Sequence, residues 1–208
     1  GKLKQVGESL LYTRWGIRKQ LLDDLYIRFF RLAEQRIGEK AEYGVVSFIS
    51  NASYLSGRSH PLMRESLLKN FHEIWIDNTN GDKYRTGKVI PAGMPGEGGS
   101  DQSMFTTSVD ARGIQVGTCI TTFVKHRRAA TPPEDAPVHF RDFWGRADAK
   151  RRALLDSLEM HRWDAARKAA AAKRPEGPRE YETFQPRKAA RWMFAPRDAN
   201  VGYEAWPA

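Results

Sequence analysis

Apolar residues recur at helical spacing from Leu21 to Ile37, at Leu22, Leu25, Tyr26, Phe29, Leu32, Ala33 and Ile37, while Asp23, Asp24, Arg28, Arg31, Glu34 and Gln35 fill the other side. The pattern predicts an amphipathic helix that buries this apolar stripe. Asp23 and Asp24 suit the positive end of its dipole, and Gly38 stands where a C-terminal cap would. Gly44 to Ser50 is a short, almost continuous apolar run rich in β-branched residues, which reads as a strand buried on both faces, as in parallel sheets. Ser59 as N-cap and Pro61 in the first turn predict a helix to about Asn70 with Met63, Leu67, Leu68 and Phe71 inward. Ile74-Trp75-Ile76 comes next as a second strand. Strand, helix and strand in this order form a βαβ unit and predict a parallel α/β sheet with a right-handed crossover.

The stretch from Asn78 to Asp101 breaks the pattern, with Gly81, Gly87, Gly93, Gly96, Gly98 and Gly99, two prolines and little apolar content. A loop this long is either functional or disordered. Period-two alternation returns from Ile114 to Val124, predicting a strand that ends in Lys125-His126-Arg127-Arg128. Ala129 to Pro137 holds three prolines and is a break, and Val138-His139-Phe140 is strand-like. From about Arg146 to Lys173 the chain reads as a charged helix with Leu154, Leu155 and Leu158 as its apolar stripe. The remainder, Arg174 to Ala208, is rich in proline and aromatics, including Tyr181, Phe184, Trp192, Phe194, Tyr203 and Trp206, which call for a covering surface from outside the chain.

Composition sharpens the picture at three points. With 40% hydrophobic and 28% charged residues the 208-residue chain has a globular profile, and no apolar run approaches the roughly 18 residues of a membrane span. Its single cysteine, Cys119, cannot form an internal disulfide, and no His/Cys cluster has the spacing of a zinc site, so no metal and a reducing cytoplasm are the expectation. A net charge of +9 and a pI near 9.8 favour a polyanionic partner. The start, Gly1-Lys2-Leu3-Lys4-Gln5, has neither an initiator Met nor an apolar signal segment and reads as a mid-protein position.

Several chemistries fail on the residues. Gly93-Met94-Pro95-Gly96-Glu97-Gly98-Gly99 lacks the Lys-Ser/Thr pair of a phosphate loop and does not join a strand to a helix. His60 and Asp77 with a nearby serine would compose a hydrolase triad only on paper, because no Gly-x-Ser-x-Gly elbow accompanies them. Cys119 lies within an alternating strand and reads as a packed apolar residue. Ser50 and Asn51 are better placed, at the carboxyl end of the first strand, where open α/β sheets bind their ligands; the competing reading makes Asn51 and Ser53 turn residues that stabilise their own backbone. Lys125, Arg127 and Arg128 are either DNA contacts or a solvated strand end.

Three segments carry a resemblance: Leu22-Asp23-Asp24-Leu25-Tyr26-Ile27-Arg28-Phe29-Phe30-Arg31-Leu32-Ala33, then Gly44-Val45-Val46-Ser47-Phe48-Ile49-Ser50-Asn51-Ala52-Ser53-Tyr54-Leu55, then Met63-Arg64-Glu65-Ser66-Leu67-Leu68. In this order they resemble the amino (N6-adenine) DNA methyltransferases of single-polypeptide (type ISP-like) restriction-modification enzymes. Glu73-Ile74-Trp75-Ile76-Asp77 is similar to the next strand in that family, and Ile114 to Ile120 to its last catalytic-domain strand, which lies antiparallel in the sheet. Trp192-Met193-Phe194-Ala195-Pro196-Arg197-Asp198 and Tyr203-Glu204-Ala205-Trp206 resemble the passage into target recognition. Neither the glycine-containing S-adenosylmethionine loop nor Asn-Pro-Pro-Tyr occurs in these residues, so the resemblance implies a fragment whose cofactor loop and catalytic residues lie upstream.

What the resemblance implies is an α/β fold comprising the later strands of a Rossmann-like methyltransferase sheet, the last one antiparallel, with a helical and irregular C-terminal extension. Residues 1–130 would be the second half of the catalytic domain and 131–208 a helical linker and the start of target recognition. The implied activity is methyl transfer from S-adenosylmethionine to the N6 amino group of adenine in double-stranded DNA; whether helicase or nuclease domains are fused to the full-length protein is left open by the sequence. The implied target-base residues are Ser50, Asn51 and Phe105, the last in the place of an aromatic that stacks on the extruded adenine; the competing reading makes Phe105 a core anchor. A non-catalytic DNA-binding or scaffolding α/β domain is the alternative function.

Overall fold

In the computed structural model, residues 24–127, 136–162 and 181–196 are described, together with Thr13. Helix α1 (Leu25–Ala33) runs into a π-helical segment (Glu34–Glu39) and then strand β1 (Gly44–Asn51). A 3₁₀ turn (Ala52–Leu55) leads to α2 (Pro61–Asn70), β2 (Glu73–Asn80) and the short α3 (Lys83–Thr86). Strands β3 (Thr118–Lys125) and β4 (Val138–Asp142), helix α4 (Ala147–Arg162), strand β5 (Glu182–Phe184) and a 3₁₀ turn (Lys188–Ala190) complete the order. The five strands form one mixed sheet in the order β1-β3-β2-β4-β5. All neighbours are antiparallel except β2 and β4, where Ile74 N–H donates to Pro137 O and Phe143 N–H to Asn78 O. The α/β class and the antiparallel last strand are as expected from the sequence.

The described residues divide into two units: one draws on Gly1–Ile76, Thr121–Phe140 and Glu182–Ala208, the other on Asp77–Ile120 and Arg141–Tyr181. In the first unit, α1 buries Ile27 and Phe30, whereas Leu25 is 69% and Phe29 57% exposed. Leu25, Phe29 and Leu32 of the predicted stripe therefore face away from the core, while Tyr26, Ala33 and Ile37 are half-buried. The helix carries two apolar stripes, and periodicity cannot choose between them; tertiary partners do. Phe30 sits 4.9 Å from the ring of Tyr54, 5.0 Å from Phe48 and 5.6 Å from Phe123. Glu34, on the buried side, accepts from Arg31, Ser66 and Asn70, which satisfies a carboxylate in the interior. Gly38 is required by close approach, since a Cβ there would lie 2.9 Å from the Cβ of Asn70.

Two further expectations are corrected. Strand β1 is not buried on both faces: it ends the sheet, and Val45 (62%) and Ile49 (63%) are exposed. Nor are β1 and β2 neighbours, because β3 lies between them and runs antiparallel to β2, with His72 N–H donating to Val124 O. The N-cap of α2 is His60, without a side-chain cap bond, and its buried residues are Pro61, Arg64, Leu67 and Leu68. The C-terminal aromatics are partly covered from within: Phe194 is fully buried, packs edge-on to Tyr54 and donates its N–H to Leu55 O. Tyr203 and Trp206 lie outside the described residues.

In the second unit the glycine-rich stretch is a chain of hydrogen-bonded turns. Val89 bridges Ser100, Ile90 N–H donates to Gly99 O, and Gly98 N–H returns to Ile90 O. Strand β3 starts at Thr118 rather than Ile114, because the preceding backbone is engaged elsewhere: Gln115 O accepts from Lys83 N–H and Gly117 N–H donates to Asp82. Helix α4 buries Ala147, Lys150 and Ser157, while Leu155 is exposed. The Leu158 side chain and positions 163–173 of the predicted helix lie outside what is described.

Candidate functional site

Ser50 and Asn51 end β1, as the alternation predicts, and lead into a tightly tied turn. Asn51 Oδ1 accepts from Ser53 N–H at 2.8 Å, capping the 3₁₀ turn, which is the competing turn-residue reading of this position. The Ser53 hydroxyl in turn bonds the Tyr26 hydroxyl at 2.9 Å. The turn's end is held by Arg64, fully buried, whose Nη1 donates to Tyr54 O at 2.8 Å and Gly57 O at 2.9 Å. Its Nη2 and Nε donate to Arg191 O at 2.8 and 3.2 Å. Arg64 is invisible to the sequence pattern, which assigns the charged positions of α2 to solvent.

His60 lies beside this arginine, buried, with neither ring nitrogen hydrogen-bonded. Burial, reinforced by the Arg64 charge, pushes its pKa down to about 4. The folded value lies below the ordinary 6.5, so the native state holds the neutral ring. Its contribution to stability is complete above about pH 6.5 and is lost as pH falls toward 4, at about 1.4 kcal/mol per pH unit. Urea unfolding between pH 7 and 4 should show a steeper loss for the native chain than for His60→Phe; parallel curves would show that His60 does not titrate in this window.

The loop after β2 is held more firmly still. Asp101 and Lys150 are both fully buried and 2.6 Å apart. Lys150 Nζ also donates to Thr79 O and Gln102 O, each at 2.7 Å. Asp101 accepts from Gly81 N–H (2.7 Å) and Gly145 N–H (3.1 Å), so every charge-bearing atom of the pair has a partner. Desolvation outweighs Asp101 and draws Lys150 below the ordinary lysine range. Gly81 is needed twice over: its φ is +77° and a Cβ would come within 2.7 Å of Ser103 Cα. Just beyond, Phe105 N–H donates to Ser103 Oγ, and Arg151 donates to the carbonyls of Met104 and Thr106 on either side of it. Phe105 as a whole is 36% exposed.

Asp77, a triad candidate on sequence alone, has its carboxylate occupied: Arg141 Nε and the Tyr181 hydroxyl both donate to Oδ1 at 2.8 Å. Burial and then the Asp77 charge push the Tyr181 hydroxyl far above the usual phenol range. Cys119 is fully buried in β3.

The basic run at the end of β3 is locally engaged. Lys125 donates its ammonium to Gly38 O, and His126 bonds Glu73 Oε1 at 2.8 Å, holding that carboxyl below its usual range. The Arg127 guanidinium lies 4.9 Å from the Tyr43 ring centroid while staying exposed. Arg128 lies outside the described residues. Ser50, Asn51, Lys125 and Arg127 thus belong to the first unit and Phe105 to the second.

The glycine-rich stretch does not form a phosphate cradle. In the glycine-rich stretch Gly93 N–H is taken by the Glu97 carboxylate at 2.9 Å, and Gly98 and Gly99 donate to backbone carbonyls, so these donors are spent internally. Among the described residues no group of three or more His, Cys, Asp or Glu could hold a metal ion, and no helix is long and apolar enough to cross a membrane.

Sheet order, the antiparallel β3 and the helices define a mixed α/β fold compatible with part of a Rossmann-like sheet. Solved structures of that form match it. One is DrdV in its DNA complex, determined by cryo-electron microscopy, at a TM-score of 0.52 and 21% identity over 86% of this chain. Another is a nuclease-deletion mutant of the Type ISP restriction-modification enzyme LlaGI in complex with a DNA substrate mimic, at 0.53 and 21% over 83%. The chain spans 14% of the first protein and 11% of the second. No family model and no curated protein matches the sequence.

Proposed function

We propose that the chain is part of a restriction-modification enzyme that acts on double-stranded DNA, transferring a methyl group from S-adenosylmethionine to the N6 amino group of adenine. The fold likeness to DNA-bound enzymes, one of them a Type ISP restriction-modification enzyme, and the net charge of +9 support this reading. The observation that carries it is Phe105, an aromatic residue left about one-third exposed on a loop whose backbone is fastened residue by residue. An adenine amino group inside a duplex is out of reach, so the base must leave the stack, and an exposed aromatic face replaces part of the stacking it loses. In this proposal Phe105 is that face, and Lys125, Arg127 and Arg128 supply positive charge toward phosphates. No described residue is assigned to S-adenosylmethionine, because the glycine-rich stretch uses its N–H groups internally.

The test is methylation by the full-length protein, read as N6-methyladenine in substrate DNA. Stacking on an aromatic side chain contributes on the order of 1–3 kcal/mol per base, so Phe105→Ala should slow methylation about 10- to 100-fold. Because the residue is 36% exposed, the loss in melting temperature should stay small beside the loss in methylation. A variant that melts several degrees lower yet methylates normally per folded molecule would make Phe105 a core anchor instead.

A further inference from the structure

The geometry points to Arg151 as a positioning residue that presets Phe105 for an extruded base by holding the carbonyls on both sides of it. This inference rests on the base-stacking reading of Phe105 and adds how that ring is held.

Every residue from Asp101 to Thr106 other than Phe105 itself is tied by side chain or carbonyl. Asp101 is bound by Lys150 and by Gly145 N–H. Gln102 donates its N–H to Gly145 O, and its side-chain oxygen accepts from Ala147 N–H at 3.1 Å. Ser103 O accepts from Thr106 through both its N–H and its hydroxyl. Arg151 closes the series: Nε and Nη2 donate to Met104 O at 3.0 and 2.7 Å, and Nη2 also donates to Thr106 O. Phe105 contributes only its N–H, to Ser103 Oγ at 3.3 Å, and the residue is 36% exposed.

The donors come from one turn of α4. Ala147, Lys150 and Arg151 are spaced i, i+3 and i+4 and share a face. Lys150 is buried and its pairing is a matter of folding, whereas Arg151 is exposed and spends its donors on the two loop carbonyls. A planar guanidinium suits this task, because Nε and Nη2 lie fixed in one plane and grip Met104 O together while Nη2 reaches Thr106 O; a lysine ammonium has one nitrogen and lacks the second grip. A basic residue in the second turn from a helix N-terminus opposes the helix dipole, which is a reason to look for a local acceptor there. The functional consequence is preorganisation: a ring already in place spares the binding step the entropy of ordering the loop.

Full-length protein carrying Arg151→Ala, Arg151→Lys, Phe105→Ala, or both alanine changes would be compared in two ways. Hydrogen exchange of the peptide covering residues 102–107 reports the clamp without DNA. Fluorescence of 2-aminopurine placed at the methylated adenine of a duplex, its site mapped by sequencing DNA the enzyme has modified, reports capture of the extruded base. Arg151→Ala should speed exchange at Phe105 and Thr106 at least tenfold, leave the melting temperature within about a degree, and weaken capture severalfold; Arg151→Lys, which lacks the Nε donor, should rescue only in part. The double variant should capture no worse than Phe105→Ala alone, because Arg151 acts through that ring. Unchanged exchange in Arg151→Ala, or losses that multiply in the double variant, would overturn the positioning role. Capture unaffected by Phe105→Ala, or DNA left unmethylated, would overturn the stacking reading itself.

Discussion

Lys150→Met is expected to destabilise the chain by about 3–5 kcal/mol, the range for removing one partner of a buried ion pair. Methionine nearly matches lysine in volume, so a cavity contributes little and the loss isolates the charge. Three acceptors lose their donor at once: Thr79 O, Gln102 O and Asp101 Oδ1. Asp101 keeps the N–H groups of Gly81 and Gly145 but remains a buried anion without its cation. Adding Asp101→Asn should therefore recover part of the loss, since the orphaned charge is removed while an acceptor oxygen for the two N–H groups remains. Urea unfolding of the single and double variants measures this. A loss under about 1 kcal/mol for Lys150→Met would mean that the pair's desolvation cost already cancels its attraction.

Arg64→Leu should cost a comparable amount, about 3–5 kcal/mol, for a different reason. Replacing a buried charge by an apolar side chain is often neutral when its partner can be replaced too. Here the partners are the backbone carbonyls of Tyr54, Gly57 and Arg191, which stay buried behind the substitution with fewer donors. Arg64→Lys should recover less than half, because the guanidinium spreads its bonds over Nε, Nη1 and Nη2 and an ammonium offers a single nitrogen. The neighbouring histidine supplies a second readout: with the Arg64 charge gone, the His60 pKa should rise from about 4, though burial still holds it below 6.5. Arg64→Leu as stable as the parent, with an unmoved His60, would show that these bonds contribute nothing net.

Local patterns in the sequence encode the existence and rough place of most elements. Alternation and β-branched runs located β1, β2, β3 and β4 to within a few residues, Pro61 marked the start of α2, and Cys119 was legible as a packed residue. The position of Ser50 and Asn51 at a strand end came from the same signals. The choice of buried faces and partners was made in three dimensions. Helix α1 carries two apolar stripes, and only the aromatic cluster around Tyr54 and Phe123 selects Ile27 and Phe30 over Leu25 and Phe29. Strand β1 reads as doubly buried because its composition is apolar, yet its alternate residues Val45, Ser47 and Ile49 share one face, and that face is left exposed. Lys150, Arg64 and Arg151 read as solvent-facing charges, since hydrophobic periodicity ranks a lysine or arginine only by its polarity. What brings the first two inside, and holds the third against the loop, is the presence of unsatisfied carbonyls and a carboxylate contributed by segments many residues away, such as Arg191 O for Arg64 and Asp101 for Lys150. A hydrogen-bond acceptor that distant in the chain leaves no mark on the local pattern, and only the folded backbone brings it within about 3 Å of its donor.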